Sequence, residues 1–232
     1  VVDLAAAGLN FIDTYQRSGL YAVPLPYTLG LEGSGVVAAV GDGVTTVSVG
    51  DRVAWAMAPG SYATQVVVPV DKAMVVPAGT DMETAAALPL QGMTAHFLTT
   101  DTYPLGEGDR CLVHAGAGGV GLLLIQIAKL KGAEVFTTVG SPEKAELATA
   151  AGADHTILYN EVDFADAVRD IAGERPIDVV YDGVGRSVFS KSLTVLRQRG
   201  MMVTFGNASG PPDPVAPLEL SANGSLFITR PT

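Results

Sequence analysis

The stretch "RCLVHAGAGGVGLLLIQIAKL", residues 110 to 130, constrains the fold of this chain more than any other. An apolar strand runs straight into a glycine-rich turn, and the turn opens an apolar helix. Gly116, Gly118 and Gly121 keep the G-x-G-x-x-G spacing, with Gly119 as a fourth glycine. The first glycine permits a tight turn, and the second lets backbone amides approach a pyrophosphate. The third allows close helix–sheet packing, while the helix N-terminus offers partial positive charge. Spacing alone also fits a structural turn of glycines. Here it follows a strand, opens a helix and leads to a second strand at Glu134, and that context predicts a dinucleotide site.

From about residue 91 onward, strands and helices alternate. Candidate strands are 110–114, 134–139, 155–159, 177–182, 201–206 and 225–229, with helical stretches near 119–131, 142–151, 163–173 and 186–198. Continuous apolar strands in such alternation imply a parallel sheet covered on both faces. Six of them with right-handed crossovers predict an α/β fold, a doubly wound Rossmann sheet over residues 91–232. Residues 1–90 differ. Short valine- and glycine-rich runs such as "GVVAAVG", "DRVAWAM" and "YATQVVVP" argue for a separate β-barrel or sandwich. In that half only "DMETAAALP" is helix-like, with Asp81 as N-cap and Pro89 as the expected stop.

Composition excludes several partners. With 48% apolar and 16% charged residues the chain is globular, not disordered. A net charge of -10 argues against nucleic acid, RNA included, or anionic membrane as the main partner. It leaves room for a small anionic cofactor, which needs only a local basic spot. The single cysteine, Cys111, rules out a disulfide framework and a multi-thiolate zinc site within the chain. No apolar run reaches the roughly 20 residues that span a bilayer, and no secretion signal is legible, so a cytoplasmic location is expected. Neither end looks like a natural terminus, which suggests a piece of a longer protein.

The second nucleotide-binding strand closes in "TTVGSPEK", residues 137 to 144. An acidic ribose anchor is expected at such a strand end. Glu134 stands at the opposite end, and Glu143 lies beyond the tip, in the first helical turn. The tip itself offers Gly140, Ser141 and Lys144, a set able to take a 2′-phosphate through a hydroxyl, helix amides and an ammonium. Ser141 is equally fit to be a plain N-cap with Pro142 at N1, and Lys144 a solvated side chain. Both readings are compatible, and NADPH is the expected cofactor.

"AGLNFIDTYQRSGLY", "LEGSGVVAAVGDGV", "VGDRVAW", "HAGAGGVG", "VGSPEKAELATAAGADHTI" and "VTFGNASG…SLFITRP" together resemble the zeta-crystallin-like quinone oxidoreductases. These are the zinc-independent branch of the medium-chain dehydrogenase/reductase superfamily. The resemblance covers essentially the whole chain. It implies a GroES-like barrel, incomplete here, before the Rossmann domain. It also implies that an N-terminal stretch and a longer C-terminal segment lie outside this chain. Gly140, Lys144 and Tyr159 match positions around the adenosine 2′-phosphate of NADPH-dependent relatives. Without the resemblance, Tyr159 would pass as a half-buried strand-end tyrosine. Thr94, Gly119, Val120 and the tip Phe205, Gly206, Asn207 and Ala208 match phosphate and nicotinamide-side positions, and Asn10 is counted with them. "TRP", 229–231, matches the stretch where the chain leaves the sheet near the cofactor. The family also implies a homodimer formed through the edge strand 225–229.

Zinc-dependent members of the superfamily place a cysteine where Asn10 stands and a histidine where Leu31 precedes Glu32. A catalytic zinc wants three protein ligands, and His96, His114 and His155 lie far apart in sequence. Each is expected to be a packed or hydrogen-bonded histidine, and no metal is predicted. Without a Lewis acid, reducing an electron-poor acceptor is the accessible chemistry, because hydrogen-bond donors can stabilise the oxyanion that forms. Asn10, Tyr15, Arg17 and Tyr21 supply such donors. In related enoyl-thioester reductases a tyrosine at the position of Tyr21 is a candidate proton donor. Tyr15 and Tyr21 also suit packing at a barrel rim, and Asp13 suits either a cap or an orienter of Arg17. The resemblance thus implies an NADPH-dependent reductase of a quinone or another α,β-unsaturated carbonyl. Its alternatives are an enoyl-thioester or alkenal reductase and a non-catalytic, crystallin-like NADPH-binding protein.

Overall fold

The computed structural model describes residues 1–231, which divide into two compact units, Val1–Met93 and Thr94 onward. In the first unit, β1 (Val2–Ala7), β2 (Glu32–Val37), β3 (Arg52–Ala56), β4 (Gln65–Val66) and β5 (Ala73–Val75) form one sheet. Its order is β4-β1-β2-β3-β5, and every pairing is antiparallel. Val2, Val37, Val53, Trp55, Ala58 and Val66 make its core. The indole N–H of Trp55 keeps its hydrogen bond when buried by donating to Ser61 Oγ at 3.0 Å.

Two helices of this unit depart from the sequence expectation. Helix α1 (Phe11–Ser18) had no counterpart there, since "FIDTYQRS" is short and largely polar. Its signals lie outside the hydrophobic pattern: Asn10 as N-cap, Asp13 in the first turn, and Gly19 at φ 78° closing the last turn. Helix α2 (Met82–Ala87) starts as expected, with Asp81 accepting from the Thr84 amide at 2.7 Å. It also stops before Pro89 as expected, ending at Ala87 with Leu88 as C-cap. What was not expected is helix α3 (Pro89–Phe97), which Pro89 itself begins, because proline lacks only an N–H that a first turn leaves unpaired anyway.

In the second unit, β6 (Arg110–His114), β7 (Glu134–Val139), β8 (His155–Leu158), β9 (Ile177–Asp182), β10 (Leu196–Thr204) and β11 (Phe227–Thr229) form a parallel sheet. The order β11-β10-β9-β6-β7-β8 is the doubly wound one, with the strand order reversing beside β6. Helices α4 (Gly119–Leu130) and α5 (Pro142–Ala150) cover one face, packing Leu124, Ile125, Ala128 and Ala148 against Cys111, Val113 and Val135. Helices α6 (Phe164–Ala172) and α7 (Phe189–Val195) cover the other, with Phe164, Val168 and Leu193 against Leu112, Phe136 and Val180. Alternate residues of β6 therefore enter two different cores, which is why its three middle residues, Cys111, Leu112 and Val113, are all apolar.

Boundaries shift where turns intervene. The fifth strand starts at Leu196, earlier than expected, and its register with β9 breaks between Leu196 and Met201. Phe205 and Gly206 lie past its end. Helix α7 is correspondingly shorter than the expected 186–198, and α8 (Pro217–Ala222) had no counterpart in the sequence reading.

Leu112 is completely buried at the centre of the second sheet. Leu112→Ala should lower unfolding free energy by about 2–5 kcal/mol through lost transfer energy and a cavity, read from urea melts.

Candidate functional site

At the glycine loop, backbone crowding explains each residue type. A Cβ on Gly116 would fall 1.9 Å from Thr137 Oγ1, and one on Gly121 would fall 2.4 Å from the Ala115 carbonyl oxygen. At Gly118 the nearest approach is 3.2 Å, again to Ala115 O. Gly118 is the N-cap of α4, so the amides of Gly119, Val120 and Gly121 have no intrahelical acceptor and suit an anion. Ala115 takes φ 56°, a left-handed conformation that costs a non-glycine residue strain. No pattern of residue types announced it.

Next to the loop, Gly140 ends the turn after β7. A Cβ there would lie 2.6 Å from the Tyr159 hydroxyl, and the Asn160 amide donates to Gly140 O at 2.7 Å. Ala115, Ala117, Gly118, Val139, Gly140, Lys144 and Tyr159 line one cavity of about 160 Å³. A larger one of about 700 Å³ continues along Thr138, Tyr159, Asn160, Val184 and Ser187. The structure thus brings the glycine loop, Lys144 and Tyr159 together. Asn160 joins them, a residue the sequence reading did not select; its signal was a polar side chain directly after a strand-end tyrosine.

Ser141 is the N-cap of α5, accepting from Lys144 N at 3.4 Å, with Pro142 in the first turn. Its hydroxyl also holds the Glu143 carboxyl below the usual range, so any anion bound here competes with Glu143 for that hydroxyl. Lys144 is exposed. Glu134 stands at the far end of β7, held by Arg110 at 2.7 Å and His155 at 2.9 Å. It is an ion-pair partner, not a ribose ligand.

On the α7 side, Phe205 N and Gly206 N donate to Asp182 O at 2.8 and 3.3 Å, while Arg230 donates to Gly206 O at 3.1 Å. A Cβ on Gly206 would meet Gly183 O at 2.3 Å, so backbone meets backbone where these two turns touch, and the Ser209 hydroxyl adds a bond to Val184 O at 2.8 Å. Asn207 is half-buried beside them. Asp182, absent from the sequence expectations, is fully buried; its Oδ1 accepts from Val184 N at 2.7 Å and Gly185 N at 2.9 Å. Burial raises its pKa to about 6, against the pull of those two amides and of Arg230.

In the first unit, Asn10, Asp13, Glu32 and Tyr62 form one network. Asn10 Nδ2 donates to Glu32 Oε1 at 2.7 Å, and Asn10 N donates to Asp13 Oδ2 at 2.9 Å. The Tyr62 hydroxyl donates to the same Asp13 oxygen at 2.7 Å. Asp13 therefore reaches back from the first turn of α1 to bind the N-cap backbone; no bond joins it to the exposed Arg17 among the described residues. Burial first, and Asp13 second, raises the Tyr62 pKa. Tyr15 packs at a tilt against Phe11 and Tyr21, with ring centroids at 5.5 and 5.1 Å. Thr94 lies on α3, half-buried.

Two other titratable groups are structural. His114 Nε2 lies 2.8 Å from Ser192 Oγ, which itself donates to Val188 O, so Nε2 carries the proton and Nδ1 accepts from Thr138 Oγ1 at 2.9 Å. Burial depresses its pKa to about 3, keeping it neutral. Burial likewise pushes the Cys111 thiol up to about 12, which removes it as a nucleophile.

Comparison with known proteins places both units. The family described as alcohol dehydrogenase GroES-like domain matches residues 1–78, and that described as zinc-binding dehydrogenase matches residues 119–230. Quinone oxidoreductase of Pseudomonas aeruginosa is 49% identical over 98% of this chain and 70% of its own. The 2-haloacrylate reductase of a Burkholderia species is 44% identical over 97% of this chain and 70% of its own. Escherichia coli quinone oxidoreductase, solved in complex with NADPH, superposes with TM-score 0.96 at 45% identity, covering 100% of this chain and 72% of that one. Despite the second family's description, the residues do not fit zinc: among the described residues no three His, Cys, Asp or Glu cluster to hold a metal.

Folding binds a proton to Asp182 that the unfolded chain, with an aspartate pKa of about 4, releases. Its contribution is fully present below that unfolded value and is lost as pH rises to about 6. Asp182→Asn should remove this component, so the difference in stability between variant and wild type shifts in the variant's favour from pH 4.5 to 7. Paired urea melts at the two pH values measure it.

Proposed function

This chain belongs to the zeta-crystallin-like quinone oxidoreductases, and on that premise we propose that it reduces a quinone with NADPH, without zinc, as a cytoplasmic homodimer. The observation that carries the cofactor reading is the strand tip: a glycine, a capped helix N-terminus and Lys144 beside the phosphate loop, with no strand-end carboxylate. NADPH when bound supplies a hydride to an electron-poor acceptor.

The chain's own residues do the rest. Gly116, Gly118 and Gly121 let the backbone approach the pyrophosphate, and the amides of Gly119 and Val120 bind it. Gly140, Ser141 and Lys144 would take the 2′-phosphate, and Tyr159, half exposed on the same cavity, would offer its ring to the adenine. Thr94, Phe205, Gly206 and Asn207 hold the nicotinamide side. Asn10, Tyr15, Arg17 and Tyr21 donate toward the oxygen on which charge develops, and the Tyr21 hydroxyl hands over the proton. Dimerisation through β11 is supported by its place at the sheet edge and by Phe227, 47% exposed beneath the Arg199 guanidinium.

A second reading, reduction of an activated alkene, is favoured by the 44% identity to 2-haloacrylate reductase. It shares the donors and the hydride step. Steady-state turnover with NADPH separates the two: quinones are expected to outpace enals and haloacrylates. Turnover of none of these acceptors would sink both readings.

For the cofactor, calorimetric titration should give tighter binding of NADPH than NADH. Lys144→Ala should narrow that preference by about five- to tenfold, the scale of one partly exposed charge contact. An unchanged preference would remove Lys144 from the phosphate seat.

A further inference from the structure

Glu32 opens β2 and is fully buried. Its two carboxylate oxygens serve different donors. Oε1 accepts from Asn10 Nδ2 at 2.7 Å, while Oε2 accepts from the backbone N–H of Leu90 at 2.8 Å. Gly8 leaves the room for this: a Cβ there would fall 2.2 Å from Oε1 and 2.5 Å from the carboxyl carbon. Burial raises the Glu32 pKa, the Asn10 and Leu90 bonds pull it down, and the Asp13 charge adds to the rise. Burying a carboxyl costs stability that an apolar residue of similar volume would not. Packing therefore explains this residue poorly.

We propose that Glu32 is a positioning residue for hydride transfer: it fixes which way the Asn10 amide faces. This rests on the reading of Asn10 as a group that meets cofactor or acceptor. An ionised carboxylate accepts hydrogen bonds and cannot donate. Asn10 must then turn its NH₂ toward Glu32, because the flipped amide would set two oxygens against each other. The Asn10 backbone is held separately, since its N–H donates to Asp13 Oδ2, which the Tyr62 hydroxyl also contacts. One buried carboxylate thus sets where Asn10 is, and the other sets how its amide is turned. Glutamine does not replace Glu32 in this role. With its carbonyl accepting from Leu90, it presents an NH₂ to Asn10, so the Asn10 amide either faces a second donor or turns over to present its oxygen.

A double-mutant cycle tests this with Glu32→Gln, Asn10→Ala and the double variant. The readouts are kcat, KM for NADPH and for a quinone, and the melting temperature. Glu32→Gln is expected to lower kcat about tenfold, the scale of one hydrogen bond to a charged group, with KM for NADPH unchanged. Added to Asn10→Ala it should cost nothing further, because the residue it orients is gone. Gly8→Ala displaces the carboxyl while keeping its charge, and it should reproduce the kcat loss. The same cycle is run with Gly8→Ala if Glu32→Gln does not fold. Equal kcat losses in the presence and absence of Asn10 overturn the proposal and leave the role of Asn10 intact. A lowered melting temperature with unchanged kcat also overturns it, assigning Glu32 to stability alone. Wild-type turnover by Asn10→Ala removes the reading of Asn10, and the proposal with it.

Discussion

The approach of the α4 N-terminus to the ends of β6 and β7 is the contact on which the second unit depends. At Gly116 and Gly121 the gap is smaller than one methyl group: a Cβ would overlap Thr137 Oγ1 or the Ala115 carbonyl. The same closeness docks α4 on the sheet beside its first amides, which have no intrahelical acceptor, so fold and anion site are one construction. Its cost is visible at Ala115, held at φ 56°. The Thr137 hydroxyl, which fills the space a Gly116 side chain would need, donates to Val113 O at 2.7 Å and so remains satisfied though buried.

How legible a feature was in the sequence depends on whether its cause is local. β7 follows the expected bounds because, after the charged Glu134, the residues from Val135 to Val139 are all apolar or β-branched. Helix α4 was legible because glycine spacing and apolar periodicity agree. Helix α1 was not, since Asp13 and Tyr15 are its only buried residues and the pattern carries too few apolar positions. What holds α1 is a cap and a carboxylate–tyrosine bond to Tyr62, residues 49 positions apart in sequence. Helix α3 was not legible for a related reason: Pro89 marks the end of α2 as expected, but proline also suits a first turn, and only the tertiary path decides whether a new helix starts there.

The site divides along the same line. Gly140, Ser141, Lys144 and Tyr159 are close in sequence to strand ends, so a parallel sheet puts them at one edge by topology alone. Asn160 and Asp182 sit at that edge too, yet no motif selects them, because their work is to bind backbone groups of the neighbouring turns. Sequence spacing finds groups that face a ligand more readily than groups that hold the ligand-facing turns in place.

Buried carboxylates make that difference concrete. Acids nearer the surface, such as the exposed Asp81 and the half-buried Asp163, cap helices, and their pKa values are lowered. Glu32 and Asp182 go the other way, raised by burial that their hydrogen bonds only partly offset. A chain with net charge -10 has no general need to bury further negative charge. Each buried acid accepts from groups that have to stay in one place: the Asn10 amide for Glu32, and the Val184 and Gly185 amides for Asp182. At Glu32 a neutral side chain would fill the same volume at less desolvation cost, but it could not accept at both oxygens, whereas Asp182 gathers both of its amides on Oδ1 alone. The placement of these acids is therefore better explained by the geometry they impose than by the stability they add, in the antiparallel unit and the parallel unit alike.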